Sequence, residues 1–386
     1  MIFAQYWQTY PFTVVLFLLV LLLIVLLNDL TIPRLGEFRF AGALPRVSIL
    51  IPARNEEQNI AACVDSLLAQ DYPDFEVLVL DDHSTDQTPA ILQQMAQREA
   101  RLQVIPGDSL PEGWLGKHWA NHQLAQKATG ELLLFTDADT WHAPDTLRES
   151  VEALIVEQAD LLTAFPRQEM CTWGECLTVP ILSFSVLAFF PILLIKKLRL
   201  AGLSVTIGQF MLFRRQAFDA IGGYASVRAD VVDDLMLGRR IISSGFHWQL
   251  VDGTGHVACR MYRDFSSARA GFTKNLFAVF GHHILLYAIA WCWIGACFLL
   301  PPLALVSGTL SRLLNFPTAI AAVAVLEGLF IFAVAYRRFR VPMYLVVLYP
   351  IHIAVFILLA IRSLLHTLLG SGSWKGRTLP PPVLRL

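Results

Sequence analysis

Hydrophobic and polar positions divide the chain into three stretches. Before residue 28 and after about residue 283 apolar residues dominate, and the middle has ordinary globular polarity. Residues 1–27 carry no charged side chain, and Phe12–Leu27 is almost entirely Leu, Val, Ile and Phe, long enough to span a bilayer with Tyr6 and Trp7 as interfacial aromatics. A basic leader and a small-residue cleavage site are both missing, so a signal peptide is the poorer reading. Residues 284–306, 317–335 and 343–365 are further candidate spans. Pro350 and His352 interrupt the last of these and suggest a hairpin or an interfacial helix. Leu177–Ile195 is apolar too, but it holds Pro180 and Pro191 and is followed by Lys196, Lys197 and Arg199. That pattern predicts a shallow interfacial helix with a basic edge.

The middle alternates between apolar runs and amphipathic stretches. Strands are expected at Val47–Ile51, stopping at Pro52, and at Phe75–Leu80, Gln103–Ile105, Leu132–Asp139 and Asp160–Phe165. Helices are expected from Asn55 to about Gln70, from a cap at Ser84 or Thr85 to about Arg101, over Trp119–Ala128, and from Pro144. Val205–Phe213 reads as extended, Arg215–Ile221 and Asp233–Ser244 as helices, and His247–Val251 with His256–Tyr262 as a final strand pair. Continuous apolar strands separated by helices imply an α/β fold with a mostly parallel sheet covered on both faces. Such sheets bind ligands at the C-terminal ends of their strands. Polar clusters fall there, at Pro52–Glu56, Asp81–Ser84 and Asp137–Asp139.

Composition sharpens this picture. Apolar residues make up 55% and charged residues 16%, which marks a membrane protein with a water-facing domain. The net charge of −1 gives no basic field for nucleic acid. Six cysteines without a C-x-x-C pair predict free thiols and a cytosolic domain. Arg34, Arg39 and Arg46 after the first span place the middle on the cytoplasmic side, as do Arg337, Arg338 and Arg340 for their loop. Three further full spans would leave the C-terminus outside, whereas Arg362, Lys375, Arg377 and Arg385 favour inside.

On a strand, Asp137 and Asp139 share a face while Ala138 points back. Two like charges there call for a cation, and a divalent ion completed by a diphosphate supplies one. Lys117, in Gly113-Trp114-Leu115-Gly116-Lys117, is a candidate diphosphate contact, although the spacing is not that of a P-loop. His83, His118, His122 and His142 lack the spacing of a hydrolytic zinc site and are expected to be surface or core residues.

Four clusters, Pro52-Ala53-Arg54-Asn55-Glu56, Asp81–Asp86, Asp137-Ala138-Asp139 and Val232-Asp233-Asp234-Leu235, occur in order with Gly208–Arg215 and Gly222-Gly223-Tyr224. Together they closely resemble family 2 glycosyltransferases of the GT-A fold, over roughly residues 45–275. The membrane layout and Trp374-Lys375-Gly376-Arg377 are similar to the lipid-glycosylating subgroup, which includes ceramide glucosyltransferases and carotenoid and hopanoid-associated transferases. The resemblance implies an anchor at 1–33, a GT-A domain at 45–275 with the apolar insertion 177–195, membrane helices at 283–366 and a tail at 367–386. It further implies that Pro52, Arg54, Glu56 and Asp82 border a nucleotide, UDP being the expected one. Asp139, helped by Asp137, is expected to hold Mn²⁺ or Mg²⁺. Asp234 is expected to be the base that deprotonates a lipid hydroxyl, with Asp233 in support, in a single inverting displacement.

The chain departs from the family's Q-x-x-R-W pattern. Ala268–Lys274 stands in its place, with Phe272 a candidate for the missing ring and Arg269 or Lys274 for the missing charge. This argues against a processive polysaccharide synthase. Two other readings are a polyprenyl-phosphate glycosyltransferase and an inactive membrane scaffold.

Overall fold

The structure is a computed structural model that describes residues 2–370, 373–374, 377–378 and 384–385. Lys375, Gly376 and the Pro380–Pro382 run lie outside the described residues. The chain divides into two compact units. One comprises residues 32–169 and 192–261, the other residues 1–31, 170–191 and 262–386.

The first unit is built on a seven-stranded sheet. Its strands are β1 (Val47–Ala53), β2 (Phe75–Asp81), β3 (Leu102–Pro106), β4 (Leu132–Thr136), β6 (Leu161–Phe165), β8 (Phe210–Arg214) and β9 (Trp248–Asp252), in the spatial order 3-2-1-4-8-6-9. Every neighbouring pair is parallel except those made by β8, which runs antiparallel to β4 and β6. Three short strands, β5 (Thr140–His142), β7 (Arg167–Gln168) and β10 (Val257–Cys259), form a second sheet.

β1, β2 and β4 are buried apart from Pro52 and Asp81, as expected of runs covered on both faces. β1 continues through Pro52 rather than stopping there. Its pairing with β4 ends at Leu50–Phe135, so Pro52 is paired only with β2, where one missing N–H is tolerated. The register sets Ala53 beside Asp81, which brings the ends of β1 and β2 level.

β9 and β10, expected to pair, instead enter different sheets. The Asp252 carboxylate accepts from Thr254 N–H and Oγ–H at 3.0 and 2.7 Å and turns the chain between them.

A buried polar clip fixes the start of β4. Glu76 Oε1 accepts from Ser48 Oγ at 2.6 Å and from Thr129 N–H and Oγ at 2.7 and 2.8 Å. Burial alone raises the Glu76 carboxyl, but these donors and Arg46 hold it below its ordinary value. Gly130 follows at a point of close backbone approach. A Cβ there would stand 2.6 Å from Ser48 N and 2.8 Å from Val47 C. Gly130→Ala is therefore expected to cost about 1–3 kcal/mol, as overpacking does, and to lower the melting temperature of the detergent-solubilised protein.

The second unit is helical. Among the described residues, four of its helices are long and apolar enough to cross a membrane: Thr9–Thr31, Ile284–Val306, Thr318–Arg338 and Met343–Leu368. The last was expected to break at Pro350. In fact Tyr349–Leu368 is continuous, because Pro350 stands in its first turn and His352 is buried with Nδ1 2.8 Å from Tyr336 Oη. Phe184 stacks on Phe332 at 4.2 Å, and Asn28 Nδ2 donates to the carbonyls of Leu187 and Phe190. Phe272, the candidate acceptor-site ring, is buried on the helix Phe265–Val279 between Tyr262 and Phe356.

The stretch 177–195 was expected to form one helix. It lies in three: Trp173–Thr178, Pro180–Phe189 and Ile192–Leu198, with Pro180 opening the second and Pro191 preceding the third.

Candidate active site

The loops after β1 and β2 are stitched together. Arg54 Nη1 donates to the Asp82 carbonyl at 2.6 Å and lies 4.0 Å from its carboxylate, while Asp82 N–H donates to Ala53 O at 2.8 Å. Asn55 takes the left-handed conformation at φ 54°, which Asn adopts more readily than most residues. Its Oδ1 accepts from Thr85 N–H, and the N–H groups of Asn55, Glu56 and Glu57 donate to Ser84 Oγ, Thr88 Oγ1 and Asp86 Oδ2. A left-handed Asn55 cannot belong to a right-handed helix, and the helix expected from Asn55 begins at Ile60. Glu56 Oε2 accepts from Asn59 Nδ2 at 2.9 Å.

β4 ends at Thr136, one residue before the carboxylates. Asp137–Asp139 is a turn, closed by Thr140 Oγ donating to Asp137 O at 2.8 Å, rather than the strand end expected. The turn still buries Ala138 and leaves both acids partly exposed. Asp139 is pushed up to about 7, first by burial and then by Asp137 and Glu56. Lys117 and the Cys259 thiol, 3.6 Å from Asp139 Oδ1, work the other way.

Lys117 stands in the first turn of the helix Gly116–Lys127, with Nζ 2.5 Å from Asp137 Oδ1. Burial favours losing its proton, but Asp137, Asp233 and Asp234 outweigh burial and hold the ammonium above its ordinary value. The same lysine thus senses the turn after β4 and the start of the helix Asp233–Ser243. In that helix Asp234 Oδ2 accepts from Gly208 N–H at 3.0 Å and Oδ1 from Leu235 N–H at 2.8 Å. Burial and then Asp233 push Asp234 up to about 6, against the pull of Leu235 N–H, Lys117 and Gly208 N–H. Asp233 Oδ1 lies 3.5 Å from His118 Nε2, whose Nδ1 is 3.2 Å from Arg228 O.

The structure therefore brings Glu56, Lys117, Asp137, Asp139, Asp233 and Asp234 into one electrostatic neighbourhood. Pro52, Arg54 and Asp82 stand at the adjoining ends of β1 and β2. Three neighbours were missed from sequence. Gly208 supplies an N–H from within a motif noted for its pattern alone. His118, expected at the surface or in the core, is a core residue, and its place beside Asp233 was not foreseen. Cys259 approaches Asp139. His142 is an interior residue between the Thr136 and Thr140 hydroxyls, and burial pushes it down to about 3.

Among the described residues no group of three or more His, Cys, Asp or Glu could hold a metal ion unaided. The donor set nevertheless fits a hard divalent ion that takes one or two carboxylates and completes its shell with substrate phosphate. Asp139 and Asp137 are such a pair, and the turn leaves both carboxylates partly exposed.

Residues 48–222 match the family model described as Glycosyl transferase family 2. That match covers less than half of the chain. A β-monoglucosyldiacylglycerol synthase from Nostoc sp. is 32% identical over 54% of this chain, and a 4,4'-diaponeurosporenoate glycosyltransferase from Staphylococcus haemolyticus is 25% identical over 64% of it. The chain spans 44% of the first relative's length and 65% of the second's. Among solved structures, a mannosyltransferase from Pyrobaculum calidifontis in complex with GDP-Man and Mn²⁺ superposes with TM-score 0.58 at 19% identity, over 93% of this chain and 99% of that one. The domain has the GT-A fold with a mostly parallel sheet, as its motifs implied.

Proposed function

We propose that the chain moves one sugar, with inversion, from a nucleoside-diphosphate donor, UDP-linked in the first instance, to the hydroxyl of a membrane lipid. The carrying observation is the meeting of Lys117 with Asp137, Asp233 and Asp234, because it joins a candidate diphosphate site to a candidate base. Both relatives are named for lipid or carotenoid acceptors, and four helices of this chain are apolar enough for a bilayer.

In this reading Pro52, Arg54, Glu56 and Asp82 border the nucleotide. A Mn²⁺ or Mg²⁺ ion on Asp139 and Asp137 would act as a Lewis acid for the departing diphosphate. Lys117 offers a second positive charge to the same oxygens. A lipid hydroxyl has a high pKa, so its proton must leave as the oxygen attacks. Asp234, held by two N–H groups and made more basic by Asp233, takes that proton. A lone base with no second carboxylate acting as nucleophile corresponds to a single displacement.

The test is transfer of labelled sugar from UDP-sugars, with GDP-sugars as control, by the purified chain in lipid with Mn²⁺. A panel of neutral lipids and polyprenyl phosphates separates the two acceptor classes. Transfer to the phosphates alone would overturn the hydroxyl assignment.

A pH dependence follows. Asp234 must be ionised to act, and its pKa is raised, so activity is expected to fall as pH drops through about 6. Asp233→Asn removes a like charge and should move that acidic limb to lower pH. A limb that stays in place in the pH–rate profile would contradict the coupling.

The domain faces the cytoplasm in this reading, supported by Arg34, Arg39 and Arg46 after the first apolar helix. A single cysteine placed at exposed Glu112 should be labelled by an impermeant maleimide only after right-side-out vesicles are opened.

A further inference from the structure

A cavity of about 300 Å³ in the first unit is lined by none of the candidate active-site carboxylates. Its lining includes Glu157, Lys197, Arg199, His247 and Trp248, and it takes in the end of the helix Ile192–Leu198. Lys196 is ion-paired with Glu157 and so neutralises the one acid among these residues. No carboxylate among the described residues pairs with Lys197 or Arg199. Arg199 is left-handed at φ 52°, and its Nη2 lies 3.3 Å from His247 Nε2. Nδ1 of that ring is 3.2 Å from Gln158 O, so the imidazole bridges the guanidinium to that carbonyl. The guanidinium is therefore held in place, with further donors to spare.

Beside this basic mouth Leu194, Leu198 and Leu203 are 48%, 63% and 45% exposed. Unpaired cations next to exposed leucines on one short stretch have the composition of a surface that lies in a bilayer interface.

We propose that this cavity takes the phosphodiester of an anionic phospholipid. Lys197 and Arg199 bind the phosphate oxygens, and Leu194, Leu198 and Leu203 lie against the acyl chains. Carbonyls at the end of a helix repel an anion, so the side-chain tips hold the phosphate. Arg contributes a planar fork and Lys a point charge. The inference rests on the chain being a membrane protein but not on its transferase activity.

The test uses the full chain in nanodiscs of phosphatidylcholine alone or with phosphatidylglycerol, read by hydrogen–deuterium exchange over 192–203 and 246–248. Phosphatidylglycerol is expected to slow exchange there several-fold. The Lys197→Gln/Arg199→Gln double variant should abolish that protection while keeping the parent's melting temperature in phosphatidylcholine. Equal exchange in both lipids would overturn the proposal. So would protection by inorganic phosphate in phosphatidylcholine discs that phosphatidylglycerol does not increase, or full protection of the double variant. Transfer activity is not the readout, so failure here is distinct from failure of the catalytic reading.

Discussion

Asp234→Asn is expected to lower the turnover number by about 10²–10⁴-fold while leaving nucleotide binding nearly unchanged. The carboxylate accepts one N–H on each oxygen, from Leu235 and from Gly208. An amide matches only one of the two, since its NH₂ end faces a donor whichever way it flips. The variant therefore also leaves an N–H without its acceptor, at a cost of about 1–3 kcal/mol where that group is desolvated. A melting curve alongside the kinetics separates the two effects. The stability loss should be modest and the rate loss large, with the donor KM almost constant. If turnover survives, Asp234 is a helix-start residue favoured by the dipole and the base lies elsewhere.

Asp139→Asn should differ in weakening donor binding as well as slowing the chemical step, because the ion it is proposed to hold serves both. If Asp139 holds the ion as proposed, metal-dependent binding of UDP should weaken about 10–150-fold, as loss of a charged contact worth about 1.5–3 kcal/mol would give. The metal-free protein should be as stable as its parent or more so. Asp139 is raised by burial, Asp137 and Glu56, so its ionised form opposes folding. With the folded pKa above the unfolded one, its stabilising contribution is full below the unfolded value and is lost as pH rises through about 7. Asparagine removes that loss. Calorimetry with UDP and Mn²⁺, paired with melting at pH 8, checks both halves.

The parts of this picture that are local in sequence were legible there. Apolar runs marked β1, β2 and β4, and the polar residues expected at their ends do stand there. The prolines were harder to read, because their effect depends on partners far away. Pro52 stays in its strand since β4 has already left it, and Pro350 opens a helix that it was expected to split. The helix start moved from Asn55 to Ile60 because Asn55 is left-handed in a loop tied to Ser84, Asp86 and Thr88, contacts no periodicity encodes.

The carboxylates were found by motif, and their setting was not. His118 on Asp233, Gly208 on Asp234 and Cys259 on Asp139 each join residues distant in the chain. A short polar motif says that a residue matters, while the fold decides what stands beside it.

In the proposed function, carboxylates distant in sequence share one cleft for a cation and a nucleotide. Anomalous diffraction from crystals grown with Mn²⁺ and UDP tests it most directly. The account predicts one manganese peak at Asp139, with the diphosphate reaching toward Lys117 and Asp234 on the same side of the sheet. Manganese or nucleotide bound at the other end of the sheet, with Asp139 and Asp234 free of both, would contradict it.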